Sequence, residues 1–149
     1  MKGLIRRVFM TIAAALMTSS AAFAGMDRPI EVTQLPADAQ RTVKTDFSGR
    51  RVAMAKIDDG LFYNGYNVVF TNGDKVEFDS HGQWKDISCK YSSVPASVIP
   101  KPIRNYLKSN YPKMKVLEIE RNKKNYEVKL SNGLEITFNR DYKVTDIDD

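Results

Sequence analysis

One segment of the chain is followed, 60 residues later, by a segment with the same pattern. Residues 66–73 (YNVVFTNG) correspond to residues 126–133 (YEVKLSNG), and the match continues without a gap to an Asp-Ile pair in each copy. A fixed period of this length indicates that one supersecondary unit is used twice. The chain is therefore predicted to contain two tandem repeats, at about residues 34–91 and 94–149.

Each predicted unit begins with a helix. Pro36 and Pro100 stand at the start of the two helices. In the first turn of a helix the backbone N–H has no partner, so proline, which lacks this group, loses nothing there. Behind them, apolar residues recur at spacings of about four, which gives each helix one apolar face. The residues of these two faces are Ala39, Val43 and Phe47 in the first helix, and Ile103, Leu107 and Tyr111 in the second.

Four strands are predicted after each helix. In residues 66–70 and 126–130 apolar and polar residues alternate, which is typical of half-buried strands. Asn72-Gly73 and Asn132-Gly133 predict hairpin turns in which both central residues take positive φ. The side chains predicted to point away from the helices are Asn67, Thr71, Lys75, Glu77, Glu127, Lys129, Glu135 and Thr137.

The predicted fold class is α+β, because runs of strands joined by tight turns form antiparallel sheets and the helices are segregated from them. One helix cannot cover four strands, so the two helix-plus-four-strand repeats are predicted to form one antiparallel sheet with both helices on one face. Residues 25–33, which include Pro29, are predicted as an extended or mobile lead segment. An outer face rich in aromatic residues would favour protein binding, whereas a flat charged face would support the fold alone.

Residues 1–24 have the layout of a secretory signal peptide. Lys2, Arg6 and Arg7 precede an apolar run at residues 8–16, and a small-x-small site ends at Ala24. The apolar run is shorter than the roughly 20 residues of a membrane span. We therefore predict cleavage, no membrane insertion afterwards, and a single periplasmic or secreted domain at residues 25–149.

Removal of residues 1–24 lowers the net charge from +5 to +2, since three of the 23 basic residues and no acidic residue lie there. A nearly neutral chain without a basic stripe is not predicted to bind nucleic acid. Cys89 is then the only cysteine, so it cannot form an internal disulfide, and a buried thiol is predicted.

The motifs of both halves resemble one family in combination. They are Leu35-Pro36, Tyr66-x-Val-x-Phe70, Asn72-Gly73, Val76-Glu77-Phe78, Gly82-x-Trp84, Val94-Pro95, Ile99-Pro100, Tyr111-Pro112, Tyr126-Glu127-Val128, Asn132-Gly133 and Ile136-Thr137-Phe138. Residues 27–149 resemble the PepSY-like family of exported Bacteroidetes proteins, which is related in fold to β-lactamase inhibitor protein. The resemblance implies two helix-plus-sheet repeats, export, no known catalytic activity, and binding or inhibition of proteins such as peptidases. The inhibitor protein has internal disulfides, which this chain cannot form.

No catalytic, cofactor or metal site is predicted. The single histidine, His81, follows Asp79 and Ser80 in a tight turn, where adjacent residues cannot form the contacts of a catalytic triad. It has no second His or Cys at the spacing of metal ligands. The acidic residues 146–149 lack the central Gly of a calcium loop and are predicted as a solvated tail.

Three aromatic residues are candidates for contact with a partner. Phe62 and Tyr63 lie in residues 58–65, where the first repeat is four residues longer than the second, and aromatic loop residues often dominate binding energy. Their alternative is to cover the sheet edge or the core. Trp84, whose counterpart is Val144, is the third candidate, and its alternative is burial in the core.

The predicted function is that of an exported, non-enzymatic binding module. Its expected partner is a protein or peptide of the cell envelope, which it could bind in the manner of a peptidase inhibitor. The alternative is a periplasmic protein that binds a small molecule or a cell-wall fragment in an apolar pocket between the helices and the sheet.

Overall fold

In the part of the chain that the structure describes, nine β-strands form one antiparallel sheet in which each strand pairs with its neighbours in the chain. The computed structural model describes residues 27–59 and 64–149, so the predicted signal peptide and the candidates Phe62 and Tyr63 lie outside the described residues. The strands are β1 (Asp27–Ile30), β2 (Val52–Asp59), β3 (Asn64–Phe70), β4 (Lys75–Asp79), β5 (Trp84–Ser88), β6 (Val116–Arg121), β7 (Asn125–Leu130), β8 (Glu135–Asn139) and β9 (Val144–Asp148). The α+β class and the single antiparallel sheet are confirmed.

A helical segment lies between β1 and β2, and an α-helix lies between β5 and β6. Helix α1 (Ala37–Arg41) continues as a wider π-helical segment (Thr42–Asp46). The widening ends where the Phe47 N–H donates to the carbonyl oxygen of Thr42, five residues earlier, at 3.2 Å. Helix α2 (Lys101–Asn110) is regular and begins after Pro100. The predicted first helix is thus present, although its second half is not α-helical.

The cross-strand register places one unbroken row of apolar side chains across the sheet. This apolar row consists of Ala55, Val68, Val76, Ile87, Ile119, Val128 and Ile136, which are paired in that order. None of these residues is more than 4% exposed. Because paired residues lie on the same face of a sheet, the row crosses from β2 to β8 without changing face.

Both helices pack on the face that carries the apolar row. The ring of Phe47, at the end of the first helical segment, stacks on Phe70 of β3 at 5.0 Å between centroids. On α2, the ring of Tyr106 meets Phe138 of β8 edge-on at 5.4 Å. Phe70 and Phe138 are in phase with the apolar row, two residues along their strands. The prediction that both helices lie on one face of the sheet is therefore confirmed.

The start of the described chain departs from the prediction. Residues 27–30 are an edge strand that pairs with β2, so the described residues contribute one strand more to the sheet than the predicted eight. Pro29 has no backbone N–H to donate to a neighbouring strand, so the sequence does not indicate a strand here. An edge strand tolerates proline because one side of it has no partner strand.

The Asn-Gly hairpins are present, but their turn type differs from the prediction. Only Gly73 and Gly133 take positive φ, at 92° and 93°, while Asn72 and Asn132 do not. Each turn closes one residue earlier, for example through the Gly73 N–H and the carbonyl oxygen of Phe70 at 3.0 Å. The Asn72 side chain accepts a hydrogen bond from the N–H of Asp74 at 3.1 Å. This local bond favours a three-residue turn with glycine in the left-handed position.

A buried ion pair connects the end of the first helical segment with the β3–β4 turn. Asp74 has no exposed surface, and its carboxylate pairs with Arg50. The same carboxylate accepts hydrogen bonds from the Ser92 hydroxyl at 2.9 Å and the Asn72 amide at 2.7 Å. Ser92 lies between the two groups of strands, so this network ties that connection to the sheet.

Cys89 lies beside this network and is fully buried, as predicted. Burial, together with the negative charge of Asp74, raises the pKa of its thiol. A thiol that resists ionisation is a poor nucleophile and metal ligand. Cys89 is therefore a packing residue.

The second half of the chain has Met114 and Leu134 where the first has Arg50 and Asp74. We expect Asp74→Ala to destabilise the protein by about 3–5 kcal/mol, because it leaves a largely buried guanidinium without its partner. The double variant Arg50→Met/Asp74→Leu should stay within about 1 kcal/mol of the wild type, since apolar replacements of a buried pair are often neutral. Urea unfolding checks both values, and a double variant as unstable as Asp74→Ala would contradict this account.

Candidate functional site: the outer face of the sheet

The face opposite the helices carries a row of opposed carboxylates. It lies one residue out of phase with the apolar row, so its side chains point to the other side of the sheet. Glu77, Asp86, Glu120 and Glu127 are successive cross-strand partners on β4, β5, β6 and β7. We call these four residues the carboxylate row. Neighbouring strands are about 4.8 Å apart, so the row is about 14 Å long.

A second row runs beside the carboxylate row and is mixed in charge. Glu118, Lys129, Glu135 and Asp148 are successive partners on β6, β7, β8 and β9. The Lys129 ammonium lies 3.3 Å from a carboxylate oxygen of Glu135, so these two residues form a cross-strand charge pair.

The two rows border a hollow of about 360 Å³ over β6–β9. Its charged lining consists of six carboxylates and one ammonium group, a formal net charge of −5: Glu118, Glu120, Glu127, Glu135, Asp146, Asp148 and Lys129.

The opposed carboxylates raise the proton affinity of the face. The pKa of Asp86 is raised to about 6, chiefly by burial and then by the negative charges of Glu118, Glu77 and Glu120. Burial and neighbouring glutamates also raise the pKa of Glu120. One carboxylate oxygen of Asp86, Oδ1, is buried without a hydrogen-bond partner among the described residues. Like charges directly opposite one another destabilise a sheet, so this face lowers the stability of the fold at neutral pH.

The carboxylates do not form a metal centre as they stand. Within residues 27–59 and 64–149, no group of three or more His, Cys, Asp or Glu side chains is arranged to hold an ion. The face is therefore a charged surface whose carboxylates are distributed along rows.

Trp84 is buried, which agrees with the predicted alternative that it belongs to the core. The Arg121 guanidinium covers its indole ring at 4.0 Å from the ring centroid, and Nε of Arg121 donates to the Trp84 carbonyl oxygen at 2.6 Å. An external partner can thus reach Trp84 only beside Arg121. His81 is exposed in the β4–β5 turn, as predicted, and its backbone N–H donates to the Asp79 carboxylate at 2.8 Å.

Several residues of the outer face were missed in the sequence. The residues predicted to point outward lie on the hairpin strands, whereas Asp86 lies on β5 and Glu118 and Glu120 lie on β6. Counting every second residue in residues 83–89 and 115–121 would have placed all three on the polar face. Asp146 and Asp148 are exposed, as predicted for the acidic residues 146–149, but they belong to β9, which pairs with β8.

The interior offers little support for a ligand between the helices and the sheet. Phe47, Phe70, Phe78 and Phe138 are among the largest fully buried side chains, and they occupy that space. A ligand there would have to displace part of the core. The hollow over β6–β9 lies at the surface of the protein.

Comparison with known proteins identifies one family and several similar solved structures. Residues 64–146 match the family described as "Putative beta-lactamase-inhibitor-like, PepSY-like". No curated protein matches the chain.

The crystal structure of a putative calcium-regulated periplasmic protein from Bacteroides thetaiotaomicron is similar, with 50% identity, a TM-score of 0.81, and 85% of this chain and 99% of that chain covered. Two periplasmic proteins from Bacteroides vulgatus are also similar. One has 53% identity, a TM-score of 0.79 and coverage of 83% and 97%. The other, of unknown function, has 39% identity, a TM-score of 0.76 and coverage of 83% and 99%.

These relatives are periplasmic, and the protein is accordingly periplasmic or secreted, as predicted. In the described part of the chain, no helix has the length and apolar character needed to cross a membrane.

The raised pKa of Asp86 predicts a pH-dependent stability. Because the folded-state pKa of about 6 exceeds the unfolded value of 3.8, the folded state binds the proton more tightly. The wild type should therefore lose stability as the pH rises from about 4 to about 6. With screening by solvent, we expect Asp86→Asn to be more stable than the wild type by about 1 kcal/mol above pH 7 and equal to it near pH 4.

Urea unfolding over this pH range measures the difference. Asp141→Asn, at an exposed position in the β8–β9 turn, is the matched control and should show no such trend. An Asp86→Asn variant less stable than the wild type above pH 7 would contradict the argument.

Proposed function

Because the chain belongs to the PepSY-like, beta-lactamase-inhibitor-like family, we propose that it is a non-enzymatic periplasmic binding protein. Its binding surface is the outer face of the sheet, and its partner is a protein with an exposed basic segment.

The observation that carries this proposal is the carboxylate row. Four carboxylates opposed on adjacent strands reduce stability, and neutral residues at the same positions would not. Proteins commonly keep destabilising arrangements where activity needs them. Lysine or arginine side chains of a partner would relieve the repulsion, so the free protein is poised to gain stability on binding.

The dimensions of the row fit a short extended segment. An extended chain rises about 3.3 Å per residue, so about five residues laid across β4–β7 would match its length of about 14 Å. Long-range attraction between the face and a basic segment would also speed association and make it sensitive to salt. Among the described residues this face carries carboxylates and not the aromatic residues that were expected to favour protein binding, so it lends no support to aromatic anchoring. The mechanism proposed for it is electrostatic and rests on the carboxylate row alone.

Phe62 and Tyr63 remain proposed contacts at the connection between β2 and β3. Aromatic side chains there would add apolar contact to the electrostatic attraction. Binding of this kind would inhibit an enzyme such as a peptidase by steric blockage, and the family description is that of an inhibitor-like protein without naming a peptidase.

The tandem organisation, with repeats at about 34–91 and 94–149, is also part of the proposal. It is supported by the order helix, then four strands, which occurs twice along the chain. The same pairing also recurs at the 60-residue offset, with Tyr66 opposite Phe78 and Tyr126 opposite Phe138.

A second candidate function is regulation by calcium. A relative with 50% identity is named a putative calcium-regulated protein, and carboxylate oxygens are the ligands that Ca²⁺ prefers. Because no three carboxylates of the described residues are arranged around one point, calcium would have to draw them together, and Asp86 Oδ1, which has no hydrogen-bond partner among those residues, is the atom that it would contact.

Titration calorimetry with octalysine at low salt tests the proposal. The variant Glu118→Gln/Glu120→Gln/Glu127→Gln removes three charges from the face, and we expect it to bind at least tenfold more weakly, a loss of about 1.4 kcal/mol or more. The control Glu31→Gln/Asp46→Asn/Asp141→Asn removes three charges elsewhere and should bind as the wild type does.

Equal binding of octalysine by the two triple variants would overturn the assignment of the face. Titration with CaCl₂ separates the second candidate. If the protein binds calcium saturably but does not bind octalysine, the result would favour calcium regulation over a basic partner.

A further inference from the structure

A second charged surface, opposite in sign, lies at one end of the sheet. A hollow of about 620 Å³ opens where β5 begins and β6 ends, beside the β4–β5, β6–β7 and β8–β9 turns. Its charged lining consists of four cations, Lys85, Arg121, Lys123 and Arg140, and one carboxylate, Asp79. We call it the cationic hollow. Its formal net charge of +3 contrasts with −5 in the hollow over β6–β9.

Aromatic rings and backbone carbonyl oxygens hold the two guanidinium groups in place. Arg121 lies over the indole of Trp84. Arg140 lies 4.7 Å from the ring centroid of Tyr126, and its Nη1 donates to the carbonyl oxygen of Asn122 at 3.0 Å. Guanidinium groups fixed in this way lose little conformational entropy when they bind an anion.

The two arginines also repel one another. Burial lowers the pKa of Arg121, and the positive charge of Arg140 lowers it further. An anion between them would reverse this cost, because it pairs with both charges. Planar guanidinium groups match the paired oxygens of phosphate and carboxylate groups.

The remaining wall of the hollow is suited to a ligand that carries hydroxyl groups. Ser80 and Gln83 of the β4–β5 turn bring a hydroxyl and an amide group to the hollow, and the Gln83 amide nitrogen also donates to Asp38 at 2.8 Å. The Asn122 side chain lines the hollow as well but is bonded to Asn125 and to the Lys124 N–H within the β6–β7 turn. Such groups both donate and accept hydrogen bonds, as sugar hydroxyls do. The volume is within the range of small-molecule sites and exceeds what a bare inorganic anion would fill.

We propose that the cationic hollow binds a phosphorylated sugar or a similar hydroxylated phosphate ester, with the phosphate against Arg121 and Arg140. This site is separate from the outer face and does not depend on the function proposed for it.

The test measures binding of glucose 6-phosphate by NMR chemical-shift titration of the full folded chain without its signal peptide. Arg140→Gln/Lys123→Gln removes two exposed charges and should weaken binding at least tenfold. Arg104→Gln/Lys108→Gln removes two exposed charges from α2 and should bind as the wild type does. Arg121→Lys keeps the charge but loses the planar fork, so it should also weaken binding while the shifts of the core stay in place.

Other probes distinguish a sugar phosphate from a sugar, from inorganic phosphate and from a lipid headgroup. Glucose should not bind, and inorganic phosphate should bind at least tenfold more weakly than glucose 6-phosphate. Equal affinity for the two phosphates, equal binding by the two double variants, or no saturable binding would overturn the proposal. Binding confined to phosphatidylglycerol vesicles, with none to glucose 6-phosphate, would overturn it in favour of a membrane surface.

Discussion

The apolar row across the sheet fixes the register of the strands, and the rest of the structure depends on that register. A shift of one residue in any strand from β3 to β8 would turn its buried valine or isoleucine to solvent. Burial of each such side chain contributes about 1.5–3 kcal/mol. The same register forces Glu77, Asp86, Glu120 and Glu127 into line on the other face. Repulsion among these carboxylates is tolerated because moving one of them away would expose the core.

The junction between β5 and β6 shows why the two halves depend on each other. Ile87 and Ile119 are direct partners there, and both are fully buried. The carboxylate row also crosses this junction, from Asp86 to Glu120. Neither half alone would hold the row together, so the candidate binding face is a property of the joined sheet.

Local patterns in the sequence were sufficient for the class, the hairpins, the helix faces and the buried thiol of Cys89. They were insufficient where the outcome depends on partners distant in the chain. The edge strand β1 contains Pro29, and only its pairing with β2 makes it a strand. Glu118 and Glu120 alternate as any strand would, but their position opposite Asp86, Glu127 and Lys129 follows from pairing between strands. The turn type at Asn72 depended on a side-chain bond that the dipeptide Asn-Gly does not reveal.

The most direct test of this account is the salt dependence of stability. If the carboxylate row is under repulsion, raising NaCl from about 0.02 M to about 0.3 M above pH 7 should increase the free energy of unfolding by about 1 kcal/mol, because salt screens partly exposed charges. Glu77→Gln/Glu120→Gln should lose most of this increase and be more stable than the wild type at low salt. An increase of the same size in both proteins, or a less stable variant at low salt, would contradict the claim that the fold holds these carboxylates together against their repulsion.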